Sequence, residues 1–300
     1  MAIDLKKFRK TLVYQLSANI RKIYSDLNEI RKIDQQAQKE QDHFGKLGWQ
    51  YCVGGILLGL LWLIISNSYL AFFVLIRPVI LIITLILGLF AIYYWIQSET
   101  HGRLNLPDYR YELARKVVLM LSRDMDKSLT ASLSVDFNSG MQKRKVVQTL
   151  AHPRRSGWKI KKFQDCWLQF GGELLDKTAF KLTVTESNQV VDGYKRSASG
   201  KSKYKSKTKG KGVDINLILK YSPRKYAAIK LLQDDVNAAI QLPQIATLKQ
   251  VRITDKNIAL SVKASPAIAA NLESLYKIIM MMFLSCYQIL NLARILSKKS

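Results

Sequence analysis

Six lysines occupy every second position ahead of Gly212: Lys201, Lys203, Lys205, Lys207, Lys209 and Lys211, preceded by Lys195 and Arg196. In extended backbone all six point to one side, about 6.6–6.8 Å apart. Such a row matches a line of phosphates, each contact releasing counterions and steepening the salt dependence. Lysine is a point-charge donor without arginine's planar fork, so sequence-specific base readout is not its chemistry. Tyr204 is the one stacking residue within the row, fewer than a single-strand platform uses. Beside a membrane the same row can lie on acidic headgroups, worth about 1 kcal/mol per basic residue near the surface. The plainest competing account is a solvated Lys-rich loop over 193–212, too poor in apolar side chains to become ordered. A second basic turn, with Arg154 and Arg155 followed by Lys159, Lys161 and Lys162, either extends this surface or faces water.

Catalytic chemistry finds little support. His43, His101 and His152 are widely separated and lack metal-ligand spacing. Gly171, Gly172 and Glu173 come without a GxxxxGK[ST] or GxGxxG pattern, so they read as a tight turn between Phe170 and Leu174. Asp234 and Asp235 are adjacent on an expected helix and point in different directions, which does not suit a carboxylate pair acting on one substrate. No GxSxG elbow is present. Cys52, Cys166 and Cys286 form no CxxC and read as unpaired thiols in a reducing compartment. The expectation is a non-enzymatic protein with no catalytic residues, no metal, no cofactor and no small-molecule substrate.

What must position the basic row is dominated by residues 47–98, which hold a single formal charge, Arg77. Spanning a bilayer takes about 20 apolar residues, so two transmembrane helices fit, turning near Ser66–Asn67–Ser68 or Arg77–Pro78. Trp49 and Tyr51 at one end, and Tyr93, Tyr94 and Trp95 at the other, are placed as interfacial aromatics. The alternative is a helical hairpin buried inside a soluble protein. Gly55 and Gly59, with Gly54, make a small-xxx-small packing face, for which Gly88 is a possible counterpart, within one chain or between two. Absence of Asp, Glu, His and Lys from both helices argues against transport.

Residues 1–46 carry ten Lys and Arg, residues 99–300 carry thirty-six against sixteen Asp and Glu, and the connection between the helices has at most Arg77. Lys and Arg stay on the cytoplasmic side, so both termini are expected there. The first 40 residues have no continuous apolar core of the kind a cleavable signal needs, leaving the hairpin as the targeting signal.

Residues 1–46 read as one long amphipathic, coiled-coil-like helix: Leu5, Phe8, Leu12, Leu16, Ile20, Ile23, Leu27 and Ile30 recur at mostly three- and four-residue steps. Its apolar face is expected to pack on a second copy, giving a homo-oligomer, or on the C-terminal helix, in preference to the membrane surface, since that face lacks Trp and the polar side mixes both signs of charge. Residues 99–265 read as an α+β domain. A helix opens at Pro107–Asp108, with Asp108 as its cap. Strands are expected over 129–137, 145–151, 158–170, 178–190, 213–221, 251–253 and 258–262, in an antiparallel sheet with one covered side and one wet side. A helix over 224–242 should cover it. Residues 266–300 read as a last amphipathic helix, whose 16 uncharged residues 278–293 are short for a third crossing.

The fold class expected is therefore an α+β membrane protein: a two-helix transmembrane hairpin, a long N-terminal amphipathic helix, and a cytoplasmic antiparallel-sheet domain flanked by helices. Its expected role is a membrane-tethered interaction or scaffold module whose basic surface meets anionic lipid headgroups. The rivals are a membrane anchor for nucleic acid and an accessory subunit of a membrane enzyme or transporter.

Overall fold

The computed structural model describes residues 5–66, 71–126, 128–197, 200–232 and 240–299. It is a mixture of helices and one antiparallel sheet, and it divides into two compact units, Met1–Asn28 with Pro107–Ser300, and Glu29–Leu106.

The first unit begins with α1 (Leu5–Thr11), β1 (Val13–Asn19) and the opening turns of α2 (Ile20–Ser66). Later come α4 (Asp108–Leu121), β2 (Thr130–Asp136), β3 (Val146–Ala151), β4 (Lys159–Glu173), β5 (Ala179–Arg196), β6 (Ser202–Lys220), β7 (Ala246–Ile253), β8 (Asn257–Ala264) and α5 (Leu272–Lys299), while α3 (Ala71–Gly102) belongs to the other unit. The sheet runs β1-β2-β4-β5-β6-β8-β7, with β3 added along β4. Leu133, Val135, Leu168, Phe170, Leu182, Val184, Ile215, Leu217, Leu260 and Val262 form its buried face. Against that face α5 sets Ile279, Met282, Phe283, Cys286 and Leu290, all buried, and the Phe283 ring meets Phe180 edge-on at 5.8 Å.

Several expectations are corrected here. The N-terminal segment is not one helix. Leu12 turns left-handed at φ 50°, its N–H closing α1 onto Phe8 O, and Val13–Asn19 then pairs with β2 along its full length. The four-residue steps from Leu12 to Ile20 coincide with period-two alternation, in which Tyr14, Leu16 and Ala18 take one side and Gln15, Ser17 and Asn19 the other. A free sheet edge decides between the two periods. Asn19 then caps α2, its side-chain oxygen accepting from Lys22 N at 2.8 Å.

Gly171 and Gly172 are not a turn but part of β4, where Gly172 leaves space for the Phe180 ring and Met125; a Cβ there would come within 2.5 Å of the Met125 methyl. The chain instead turns at residues 174–178. Pro107, not Asp108, takes the N-cap position of α4, and Asp108 sits in the first turn, accepting from Tyr111 Oη. The helix expected over 224–242 is a short 3-10 segment, Ala227–Leu232, where it is described; residues 233–239, with Asp234 and Asp235, lie outside the described residues. The C-terminal helix packs on the sheet, on α4 and on the 227–232 segment, not on an N-terminal arm, because every third or fourth residue from Leu275 to Ala293 is apolar and buried.

In the second unit α2 lies antiparallel to α3 (Ala71–Gly102). Contacts march in opposite directions along the two helices. Asp34 accepts from Leu106 N at 2.6 Å, Gln41 O from Ser98 Oγ at 3.1 Å, Gly48 lies beneath Trp95, and Gly55 and Gly59 face Leu87 and Thr84. Rings of Phe44, Tyr51, Phe90 and Tyr94 stack along the seam. α3 continues through Pro78, so Arg77–Pro78 is no turn; Arg77 instead reaches back to Ile65 O at 3.0 Å, a cation at the carbonyl end of α2. Outward-facing Ile56, Leu57, Leu60, Leu63, Ile64, Ile82, Leu85, Ile86 and Leu89 are exposed, the reverse of a water-facing surface. Three helical stretches are long and apolar enough to cross a membrane: one in Ile20–Ser66, Ile76–Gly102 and Leu272–Ser297, the last half covered by the sheet unit.

Candidate anion-binding surface

The lysine row is not a loop. It lies on β6, which pairs with β5 from Asn188–Gly210 to Arg196–Ser202 and so prolongs the sheet into a ribbon whose β6 side chains, residues 202–209, are exposed. Facing residues of antiparallel strands share a side, so the register sorts the ribbon's side chains. On the outer side, continuous with the uncovered face of the sheet, Lys203 stands opposite Lys195, Lys205 opposite Gly193, Lys207 opposite Val191, and Lys209 opposite Gln189. The next strands continue two of these rungs: Val191 meets Ile160 and then Leu150, and Gln189 meets Lys162 and then Gln148.

Two properties distinguish this side. Its ribbon positions on β4, β5 and β6 contain no carboxylate: Asp192 falls on the other side, as do Asp165 and Glu186 at the root, and Asp214, on the outer face of the adjoining sheet, is paired with Lys249 at 2.8 Å. On the other side Asp192 accepts from Lys161 Nζ at 2.6 Å, a contact that holds the Asp192 carboxyl below the usual carboxylate range. Among the described residues, Lys195, Lys203, Lys205, Lys207 and Lys209 make no ion pair. Like charges directly opposite one another, as Lys195 and Lys203 are, destabilise a ladder. The lysine rungs also enclose an apolar one, formed by Val191, Ile160 and the exposed Leu150.

Of the sequence candidates, the structure thus gathers Lys195, Lys203, Lys205, Lys207 and Lys209. Arg196 points to the opposite side with Ser202, Lys201 sits in the turn, and Lys211 is the extra residue of a bulge between Gly210 and Gly212. Gly55 and Gly59 pack within the chain, while Gly88 has nothing within 4 Å and is no counterpart to them. From the second basic turn, Lys162 and Arg155 join the outer surface, whereas Lys159 and Lys161 face away.

Trp158 is the contributor that spacing alone did not reveal. Its indole lies over Gly193, where a Cβ would stand 2.5 Å from Cγ, and its Nε1 donates to Tyr194 O at 3.0 Å. The Arg155 guanidinium rests 4.8 Å above the ring. A Trp just before a strand, facing a Gly in the next strand, was the available signal.

At the ribbon's root lies a buried ion network. Arg110 Nη2 donates to Asp165 Oδ2 at 2.8 Å and Nη1 to Asp136 O at 2.6 Å, while Lys145 Nζ reaches Asp165 Oδ1 at 2.7 Å and Asp136 Oδ2 at 3.0 Å. Burial opposes the Arg110 charge, but Tyr109 and Asp165 outweigh it and hold the guanidinium above its ordinary range. Burial likewise works against the Asp136 carboxylate, and hydrogen bonds from Asn138 and Lys145 keep its pKa low nonetheless. Trp167, an extra residue in β4 between Cys166 and Leu168, is wholly buried beside Arg110, and its Nε1 has no partner among the described residues. Asp165 and Trp167 anchor one strand of the ribbon from beneath. No group of three or more His, Cys, Asp and Glu side chains among the described residues is arranged to hold a metal.

Comparison with known proteins finds no matching family model, no matching curated protein and no matching solved structure.

Proposed function

We propose that this chain is an integral membrane protein with two spans, in α2 and α3, and that the outer side of its lysine ribbon binds the headgroups of anionic lipids as a tethered interaction or scaffold module. Both termini then face the cytoplasm, a reading supported by the distribution of Lys and Arg. The observation that carries the lipid assignment is the composition of that side: five lysines without ion pairs and no carboxylate, around the Val191–Ile160–Leu150 rung. A nucleic-acid backbone offers nothing to that rung, whereas an interfacial layer takes up apolar and cationic groups together, lysine stems lying along apolar surface with their ammonium groups in water.

The test uses the full chain without native cysteines, reconstituted in bilayers, with a nitroxide at Gln189→Cys on the outer side or at Thr208→Cys on the other. In bilayers containing phosphatidylserine the label at 189 becomes shielded from a water-soluble nickel chelate, and salt restores its access. The label at 208 stays accessible, as do both labels in phosphatidylcholine. Changing Lys195, Lys203, Lys205, Lys207 and Lys209 to Gln abolishes the shielding. Equal accessibility at 189 in both lipids overturns the assignment. Shielding by added polynucleotide in phosphatidylcholine, in place of shielding by phosphatidylserine, favours the nucleic-acid anchor, and shielding only by a co-purified protein favours the accessory subunit.

A further inference from the structure

The tip of the ribbon differs in kind from the rest of the row. Lys195 and Lys203 form its last described outer rung, and Lys205 follows one rung behind, beside Trp158. Directly opposed Cβ atoms lie about 4.5–5.5 Å apart and successive rungs on one side about 6.6–6.8 Å apart. Three ammonium groups therefore share one small area with a guanidinium. That guanidinium is preorganised: Arg155 is stacked on an indole whose own Nε1 is bonded to Tyr194 O and whose plane is accommodated because residue 193 is glycine. The turn carrying it is closed by backbone bonds from Arg155 N to His152 O and from Trp158 N to Arg155 O. Farther along, Lys207 and Lys209 have no such plate.

One phosphodiester brings a single negative charge and cannot balance four cations. A fixed guanidinium fork, in contrast, is suited to two oxygens of one phosphate while neighbouring ammonium groups take others. We infer that Arg155, Trp158, Lys195, Lys203 and Lys205 form a subsite for a ligand carrying several phosphates on one scaffold, the chemistry of a polyphosphorylated inositol ring. The lipid reading supplies the setting in which such a ring would be a headgroup, but the subsite does not require it, since the free ring has the same phosphates.

The test uses the full chain in phosphatidylcholine bilayers and reads the protection of Lys195, Lys203 and Lys205 from amine modification by mass spectrometry, with Lys181 and Lys263 as references within the same chain. Inositol hexakisphosphate protects the three lysines at concentrations about tenfold below those of a flexible polyglutamate of similar charge, because the fork and plate select clustered phosphate over diffuse charge. Arg155→Lys keeps the charge yet loses about tenfold in protection, and Trp158→Ala does the same. Bilayers containing phosphatidylinositol bisphosphate protect the same lysines if the source is a headgroup; protection by the free ring alone assigns a soluble ligand of the same chemistry. Equal protection by polyglutamate, or full protection in both variants, overturns the inference. Shielding of the label at 189 by phosphatidylserine is read separately and does not depend on Arg155, so loss of the subsite and loss of the lipid reading are distinguishable.

Discussion

Arg110 and Asp165 meet at 2.8 Å with both side chains almost wholly withdrawn from solvent, at the level where β4 and β5 leave the cover of the helices and become the ribbon. The guanidinium ties α4 to the last residue of β2, to Asn138 O in the following loop and to β4, so one side chain fixes where the basic surface starts. Removing one member of such a pair leaves the other charge buried. Arg110→Ala is expected to cost about 3–5 kcal/mol. Hydrogen exchange on the full chain should show faster exchange at the roots of β4 and β5 than in α3; unchanged exchange there would show that the network does not hold the ribbon.

The same network predicts the response to acid. The Asp136 pKa is lowered in the fold, so its contribution is fully present above the unfolded carboxylate value of about 3.9 and is lost as pH falls through the lower folded value. Thermal melts of the sheet unit's near-UV signal should therefore fall steeply below about pH 4. Asp136→Asn should be less stable at neutral pH and show a shallower acid limb. A variant that keeps the wild-type limb would place the responsible carboxylate elsewhere.

Much of this fold was legible because burial is periodic. Phe180, Leu182 and Val184, and Val213 through Tyr221, announce strands with one covered side, and the stretch 47–98, with Arg77 as its single charge, announces two apolar helices. Features set by tertiary pairing were not legible. Leu12, Leu16 and Ile20 satisfy a helix as well as a strand until β2 presents a partner for residues 13–19. In FQDCWLQF, the adjacent buried Trp167 and Leu168 mark a bulge only once β5 supplies the register. The lysine alternation is plain in the sequence, but its polar composition concealed its order: the ribbon is held by main-chain pairing, by its root and by Trp158 seated on Gly193. Trp158 entered the surface through Gly193, thirty-five residues away in sequence.

Gly212 offers a sharp test of how the ribbon joins the sheet. Its φ is 103°, and a Cβ there would lie 2.3 Å from Ala264 O, with both obstacles in the backbone. Gly212→Ala is expected to cost about 1–3 kcal/mol in strain and to loosen the pairing of β6 with β8 at Val213–Ala264. Exchange rates of those amides measure it, and wild-type rates would show that the bulge can be rebuilt without glycine.

Close helix packing in the second unit makes a paired prediction. A side chain at Gly48 would meet the Trp95 ring at 2.6 Å, whereas at Gly88 it meets nothing within 4 Å. Gly48→Val should overpack the seam by about 1–3 kcal/mol and lower the melting temperature of the detergent-solubilised chain. Gly88→Val should leave that temperature nearly unchanged. Equal effects would mean that the α2–α3 seam is not what stabilises this unit.

The proposed topology follows from where cations are absent. On the N-terminal side of the apolar stretch lie Arg31, Lys32, Lys39 and Lys46, and beyond it Arg103 and Arg110, while the 67–70 connection has none. The nearest cation to that connection, Arg77, donates to Ile65 O at the carbonyl end of α2. Translocating the connection thus moves the smaller positive charge, which is the favoured direction. A stretch of 27 residues such as Ile76–Gly102 extends about 40 Å, enough to cross with some tilt. In a cysteine-free background, Gln38→Cys and Thr100→Cys should react with an impermeant maleimide from one side of sealed vesicles, and Asn67→Cys from the other. Reaction of all three from the same side would require α2 and α3 to enter the bilayer without crossing it, and the charge-free connection would then need another explanation.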